Sequence, residues 1–403
     1  MHRVVITGLG IISALGHDRH KFWQALCESK SGIADISQVD CQSLRFQQGA
    51  EVKNFSSDDY FEPKRINYLD RFTQFALISA KEAIMDAGLS KSDFAHEQTA
   101  IITGSCLGGK ITEDNVFYRL YHEGNPRTNP ATIPNAMANA GASQIAFEFG
   151  ITGPTYTIST ACSSSTHAIG NAFWLVRNGV VQRAIAGGSE APFSFGQLKA
   201  WEAMRIVASD TCRPFSRGRQ GLILGEGGGM LVLESLVSAR ARGARIYAEI
   251  IGFGMSADAK HIIEPHSVGQ QRAILAALND AGIPHDAINY INAHGTGTIV
   301  NDRVEAETIR TIFGNKRENL SVSSTKAAHG HLLGATGAIE TIATVLALKY
   351  GTIPPTLHYL AKDDDCDMPS LITHHAKTCD IEFAMCFSFA FGGLNSILAF
   401  RAF

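Results

Sequence analysis

The chain has 403 residues, a net charge of −3, and 18% charged against 45% hydrophobic residues. Those values leave no basic stripe for nucleic acid and no block of like charge for a disordered tail. No apolar run reaches the ~18 residues of a membrane span, and the length suffices for two domains or two fused halves.

The N-terminus, Met1-His2-Arg3-Val4-Val5-Ile6-Thr7-Gly8, reads as a strand entering a glycine turn, not as a secretory signal. A helix-period stretch from Ala76 to Asp86 stops at Ala87-Gly88, and Ala100-Ile101-Ile102-Thr103-Gly104 is a short strand into another glycine turn. Ile151 to Thr160 holds a Gly-Pro break and a β-branched strand, and Ser163 to Gly179 reads as a helix of small residues closed by glycine. The order then recurs. Tyr247 to Gly254 repeats the strand with Gly-x-Gly, Arg272 to Gly282 repeats the helix down to its Asp-Ala-Gly ending, and Tyr290 to Gly295 repeats the short strand. A second long helix of small and apolar residues is predicted over 334–350. This predicts an α/β protein of two similar halves, 1–243 and 244–403, with buried, mostly parallel sheets layered with helices.

Several weak signals carry no function. Gly8-Leu9-Gly10 and Gly252-Phe253-Gly254 do not complete G-x-G-x-x-G, because Ser13 and Ala257 stand at the last position. Both read as tight turns. Gly225-Glu226-Gly227-Gly228-Gly229 lacks the Lys-Ser/Thr ending of a phosphate loop and reads as close backbone packing. His374-His375 reads as a solvated pair, and His329 and His331 have no further ligands nearby, so no metal site is expected. The eight cysteines (27, 41, 106, 162, 212, 366, 379, 386) form no CxxC pair, which fits free thiols in a reducing cytoplasm.

Three segments carry chemistry. Cys162, in Thr160-Ala161-Cys162-Ser163-Ser164-Ser165, falls at a strand-to-helix turn, where the helix end should favour thiolate over thiol. The bland alternative is a buried structural cysteine; the small neighbours argue for a nucleophile open to substrate. His294 (Ala293-His294-Gly295-Thr296-Gly297-Thr298) and His331 (Gly330-His331-Leu332-Leu333-Gly334) each follow a short apolar segment and sit among glycines. A neutral imidazole there can donate its Nε2–H to a developing oxyanion. Thr296 and Thr298 offer hydroxyls to a ligand's amides. Lys326, in Ser324-Thr325-Lys326, and Glu340 read as an ion pair that holds the histidine loop.

With these segments, Phe389-Ala390-Phe391-Gly392-Gly393-Leu394-Asn395, Arg213-Pro214-Phe215 and Asn301-Asp302, the chain resembles the β-ketoacyl-acyl carrier protein synthases. The resemblance is closest to the subtype II elongating enzymes and type II polyketide ketosynthases, and it spans essentially the whole chain. It implies the thiolase fold, a duplicated five-layered αβαβα arrangement, and a homodimer or a ketosynthase/chain-length-factor heterodimer. It implies decarboxylative condensation of an acyl-enzyme with malonyl-acyl carrier protein, in fatty-acid or polyene-type polyketide elongation. Cys162 would take the acyl group, and His294 and His331 would bind the malonyl thioester carbonyl, with Lys326 completing the catalytic set. Backbone N–H groups of Cys162 and Phe391 would form the oxyanion hole. Phe391, Leu107 and Phe195 would gate and line the acyl pocket, Thr296 and Thr298 would contact the phosphopantetheine arm, and Lys64 and Arg65 would dock the carrier. No cofactor beyond that arm and no metal is implied.

The chain departs from the family pattern at Ser159 (commonly Asp), Thr166 (usually Leu) and Ile263 (often Thr), and Asn67 and Tyr68 thin the basic carrier helix. Two other classes fit the residues less well. A non-catalytic chain-length partner would lack Cys162. A degradative thiolase would need a second cysteine in a Cys-x-Gly setting, where Cys386 is followed by Phe387 and Ser388.

Overall fold

A computed structural model describes residues 1–94, 98–314, 319–368 and 370–403. The strands of its ten-stranded sheet are numbered in chain order: β1 Val4–Ser13, β2 Thr99–Gly104, β3 Thr155–Ile158, β4 Arg183–Glu190, β5 Gly227–Ser235, β6 Ala248–Ala257, β7 Tyr290–Asn292, β8 Ser321–Ser323, β9 Phe383–Ala390 and β10 Leu394–Ala402. They lie in the order β8-β7-β9-β10-β6-β1-β5-β4-β2-β3. Read outward from the centre, β1-β5-β4-β2-β3 and β6-β10-β9-β7-β8 are the same path taken twice. In each path the first two pairings are antiparallel and the last two parallel. The halves meet at β1 and β6, which pair antiparallel over Val4 to Ile6.

The sheet is mixed as expected, but its middle is antiparallel, and parallel pairing is confined to the outer strands of each half. The cause is that β5 and β10 return beside the strands that open their halves, so that each central strand runs against its neighbours. The Gly-x-Gly pairs also differ from expectation: they lie inside strands, not in turns. A Cβ on Gly8 or Gly10 would come within 2.1 Å of Ala83 O or 2.0 Å of Ser79 O, so glycine lets helix Arg71–Asp86 lie against β1. Gly252 and Gly254 stand in the same relation to Ala277 and Ala273 of helix Ser267–Ala281. The Asp-Ala-Gly endings complete the repeat. Asp86 accepts a hydrogen bond from Leu9 N–H and Asp280 from Phe253 N–H, both at 3.0 Å, and Gly88 and Gly282 adopt the left-handed conformation (φ 67° and 66°) that ends each helix.

Helices Ser164–Arg177 and Thr336–Tyr350 pack on each other and on strands of both halves. They form the central layer, and helices Arg71–Asp86 and Ser267–Ala281 cover the outer faces. The second central helix is buried from Thr336 to Leu348, which explains why its sequence is apolar on every side. Cys162 lies just before one central helix and His331 just before the other. The same place in the repeat therefore supplies two different groups to one site. Among the described residues no helix is long and apolar enough to cross a membrane.

Candidate active site

Cys162, His294, Thr296, Thr298, His331 and Phe391 line one cavity of about 280 Å³. The turn that carries Cys162 is held by its own hydroxyls. Ser163 Oγ donates to Thr160 O (2.8 Å), Ser164 Oγ donates to Ala161 O (2.6 Å), and Thr160 N–H donates back to Ser164 Oγ (2.9 Å). Ala161 is forced to φ 50°, a left-handed conformation that a non-glycine residue keeps only where its surroundings impose it. The serines thus shape the turn.

For Cys162, enclosure opposes the thiolate that the turn was expected to favour. Burial pushes its thiol up to about 11, against the pull of Lys326 and of the backbone N–H groups of Phe391 and Cys162 itself. The helix begins only at Ser164, so Cys162 sits just outside its first turn.

His294 and His331 meet edge to face, with ring centroids 5.5 Å apart and planes at 86°. The loop after His294 is tied down by two buried carboxylates of helix Ile299–Phe313. Glu305 accepts from the N–H groups of His294 and Gly295, both at 2.7 Å, and Asp302 accepts from those of Thr296 (3.1 Å), Gly297 (3.2 Å) and Phe215 (2.8 Å). Burial raises both carboxyls, that of Glu305 to about 7. His331 is fixed through its backbone, its N–H donating to Ile223 O (2.6 Å) and its O accepting from Gly225 N–H (2.9 Å). This gives the Gly225-Glu226-Gly227 segment its place. Burial, then the charge of Lys326, drives both imidazoles well below their usual range, so both rings are neutral.

Lys326 and Glu340 form a fully buried ion pair at 2.6 Å, and Lys326 Nζ also donates to His294 O. Thr296 and Thr298 hydroxyls are 2.8 Å apart on the cavity wall. His329 does not join the site: its ring bonds Gly330 O (2.8 Å) and Thr325 Oγ1 (2.9 Å), and burial lowers it to about 3.

Not every expected residue lies here. Phe195 is 46% exposed at the start of helix Phe195–Met204 and lines a separate cleft with Tyr118 and Phe193. Trp201, two turns along the same helix, points to the cavity instead and lies near-parallel to Phe391 (centroids 6.3 Å apart, 25°). Leu107 packs in the apolar cluster behind, with Leu333 and Trp201. Lys64 is exposed on the short helix Pro63–Ile66, whereas Arg65 is committed to Glu148. Ile263 is exposed and lines the cavity.

Three residues were not anticipated from the sequence. Glu305 had a usable signal, since Asp302 and Glu305 share one helix face directly after the histidine loop. Glu190, buried at the end of β4, accepts from Cys106 N–H (2.8 Å), Leu107 N–H (3.2 Å) and Gly334 N–H (3.1 Å), joining the two halves beside His331. Neither Glu190 nor Trp201 has a spacing that announces it. Among the described residues, no cluster of three or more His, Cys, Asp or Glu is arranged to hold a metal ion.

Residues 1–239 match the family description "Beta-ketoacyl synthase, N-terminal domain" and residues 247–360 match "Beta-ketoacyl synthase, C-terminal domain". The chain belongs to the β-ketoacyl synthase family. It is 42% identical over 399 residues to nodulation protein E of Rhizobium sp. (strain N33), covering 99% of each chain. It is 39% identical over 408 residues to 3-oxoacyl-[acyl-carrier-protein] synthase 2 of Staphylococcus aureus (strain N315), covering 100% of this chain and 98% of that protein. Among solved structures, the ishigamide ketosynthase/chain length factor superposes with a TM-score of 0.96 at 32% identity, over 100% of this chain and 99% of that one. A type II polyketide acyl-carrier protein in complex with its ketosynthase bound to the hexaketide gives 0.90 at 28% identity, over 100% of this chain and 99% of that one.

Proposed function

We propose that this member of the β-ketoacyl synthase family extends acyl chains by decarboxylative condensation with malonyl-acyl carrier protein. The observation that carries the reading is the convergence of Cys162 and two neutral imidazoles, His294 and His331, on one cavity. Cys162 Sγ attacks the thioester carbonyl of an acyl carrier, and the thiol proton leaves with the phosphopantetheine sulfur. N–H groups of Cys162 and Phe391 face the reacting centre and stabilise the tetrahedral oxyanion. The malonyl carrier then enters, and its thioester oxygen accepts from His294 and His331. Carbon dioxide departs, the carbanion attacks the acyl-Cys162 carbonyl, and the Cys162 thiolate leaves and regains a proton.

Neutral imidazoles suit this work, because they donate to an enolate without handing it a proton prematurely. Lys326 and Glu340 hold the His294 loop, and Thr296 and Thr298 meet the pantetheine amides at the wall. Residues 1–243 form the half with the nucleophile and 244–403 the half with both histidines. The protein works as a cytoplasmic homodimer or as one subunit of a ketosynthase/chain-length-factor heterodimer, with Lys64 as the free cation of the docking helix. No cofactor enters beyond the carrier's arm.

Fatty-acid and polyene-type polyketide elongation separate on the chain and carrier accepted. Purified protein given acyl carrier and labelled malonyl carrier should release one carbon dioxide per 3-oxoacyl carrier formed. Release without product, or hydrolysis of the acyl group to free acid, contradicts the reading.

A further inference from the structure

We propose that Thr166 is a positioning residue whose hydroxyl fixes the loop carrying Phe391 against the turn carrying Cys162. The proposal rests on the reading of Cys162 as the acylated nucleophile. Thr166 Oγ1 and Ser388 Oγ are 2.7 Å apart, and both residues are fully buried. Thr166 lies one helical turn beyond Cys162, on the first central helix. Ser388 lies near the end of β9, just before Ala390-Phe391. The bond therefore spans the two halves, linking the helix that follows Cys162 to the strand that leads to Phe391, and the N–H groups of Cys162 and Phe391 both reach the sulfur.

The surroundings are built for this bond. Gly337 of the second central helix has no Cβ, and one placed there would stand 1.9 Å from Thr166 Oγ1. The neighbouring Ser165 hydroxyl accepts from Ala338 N–H of that same helix at 2.9 Å. Side chains alternate along β9. Ser388 faces the central helices, whereas Phe389 faces the other way and brings its ring to 6.1 Å from His294. The Thr166 bond thus sets the end of β9 relative to the nucleophile. The backbones at His294 and His331 have anchors of their own, Glu305 for the first and Ile223 and Gly225 for the second.

The test compares two half-reactions in Thr166→Val, Thr166→Ser, Ser388→Ala and the double variant Thr166→Val/Ser388→Ala. Acylation of Cys162 is followed by intact mass, and carbon dioxide release from malonyl carrier is followed separately. A small misplacement of reacting groups costs ~10–10²-fold in rate, so Thr166→Val and Ser388→Ala should slow acylation by that factor. Carbon dioxide release should stay near wild type, Thr166→Ser should restore acylation, and the double variant should be no slower than either single. Wild-type acylation in Thr166→Val, equal slowing of both reactions, failure of Thr166→Ser to rescue, or additive losses in the double variant would each overturn the proposal. Ser388→Ala carries the same comparison if Thr166→Val does not fold. If the wild-type protein itself leaves Cys162 unacylated, the functional reading fails instead, since every arm is measured against it.

Discussion

The backbone N–H of Leu333 donates to Nδ1 of His331 at 3.1 Å, and Thr336 Oγ1 lies 2.8 Å from the same nitrogen. A backbone N–H can only donate, so Nδ1 must be unprotonated, and the neutral ring carries its hydrogen on Nε2. Protonating the ring would set two N–H groups against each other. The loop that follows His331 thereby selects the tautomer that can donate into the cavity.

The first prediction concerns pH. Because burial and Lys326 hold both imidazoles well below their usual range, the donors stay in their working form as acid is added. Decarboxylation of malonyl carrier by Cys162→Gln, whose amide can mimic the acylated thioester, should be flat from about pH 8 to below the ordinary histidine value of ~6.5. A rate that falls with an apparent pKa near ~6.5 would show that a ring titrates as if exposed.

His294→Ala and His331→Ala should each slow decarboxylation by ~10²–10³-fold, the usual cost of losing one positioned oxyanion donor. Acylation of Cys162 should suffer less. Variants that decarboxylate normally but acylate slowly would move the two histidines from the malonyl step to the acyl-transfer step.

Lys326→Met removes the charge paired with Glu340, both being fully buried. Breaking such a pair typically costs ~3–5 kcal/mol, whereas replacing both partners with apolar residues is often neutral. Urea unfolding should show the loss in Lys326→Met and its recovery in Lys326→Met/Glu340→Leu. Burial raises the Glu340 carboxyl, and Lys326 pulls it back. Without that cation the folded state binds the proton more tightly than the unfolded chain does. The single variant should then lose stability as pH rises from the ordinary glutamate value of ~4.3 toward neutrality. Equal stability of Lys326→Met and wild type at neutral pH would contradict the pairing.

Trp201→Ala should change the acyl chains accepted, because its ring faces Phe391 on the cavity wall. Phe195→Ala should leave the order of preference among acyl carriers intact, since Phe195 lines another cleft. A panel of acyl carriers of graded length separates the two, and a shifted preference in Phe195→Ala alone would put the acyl pocket elsewhere.

Much of this was legible in the sequence, because the duplicated strand and helix endings and the glycine-flanked Cys and His segments are local patterns. What escaped was set by tertiary contact. The Gly-x-Gly pairs look like turns until helices Arg71–Asp86 and Ser267–Ala281 are seen to lie across them. The antiparallel centre depends on where β5 and β10 return, which no local periodicity records. Cys162 does sit at a strand-to-helix turn, but the enclosure that pushes its thiol up is a matter of packing, which no local pattern records. Phe195 and Trp201 share one helix, and neither residue type says which faces the cavity.

The most direct test is intact and peptide mass spectrometry after the protein meets an acyl carrier. One acyl group per chain should appear, on the peptide containing Cys162, and none in Cys162→Ala, with the added mass discharged as 3-oxoacyl carrier when malonyl carrier follows. An acyl group on any other cysteine, or one that persists in Cys162→Ala, would contradict Cys162 as the acylated nucleophile.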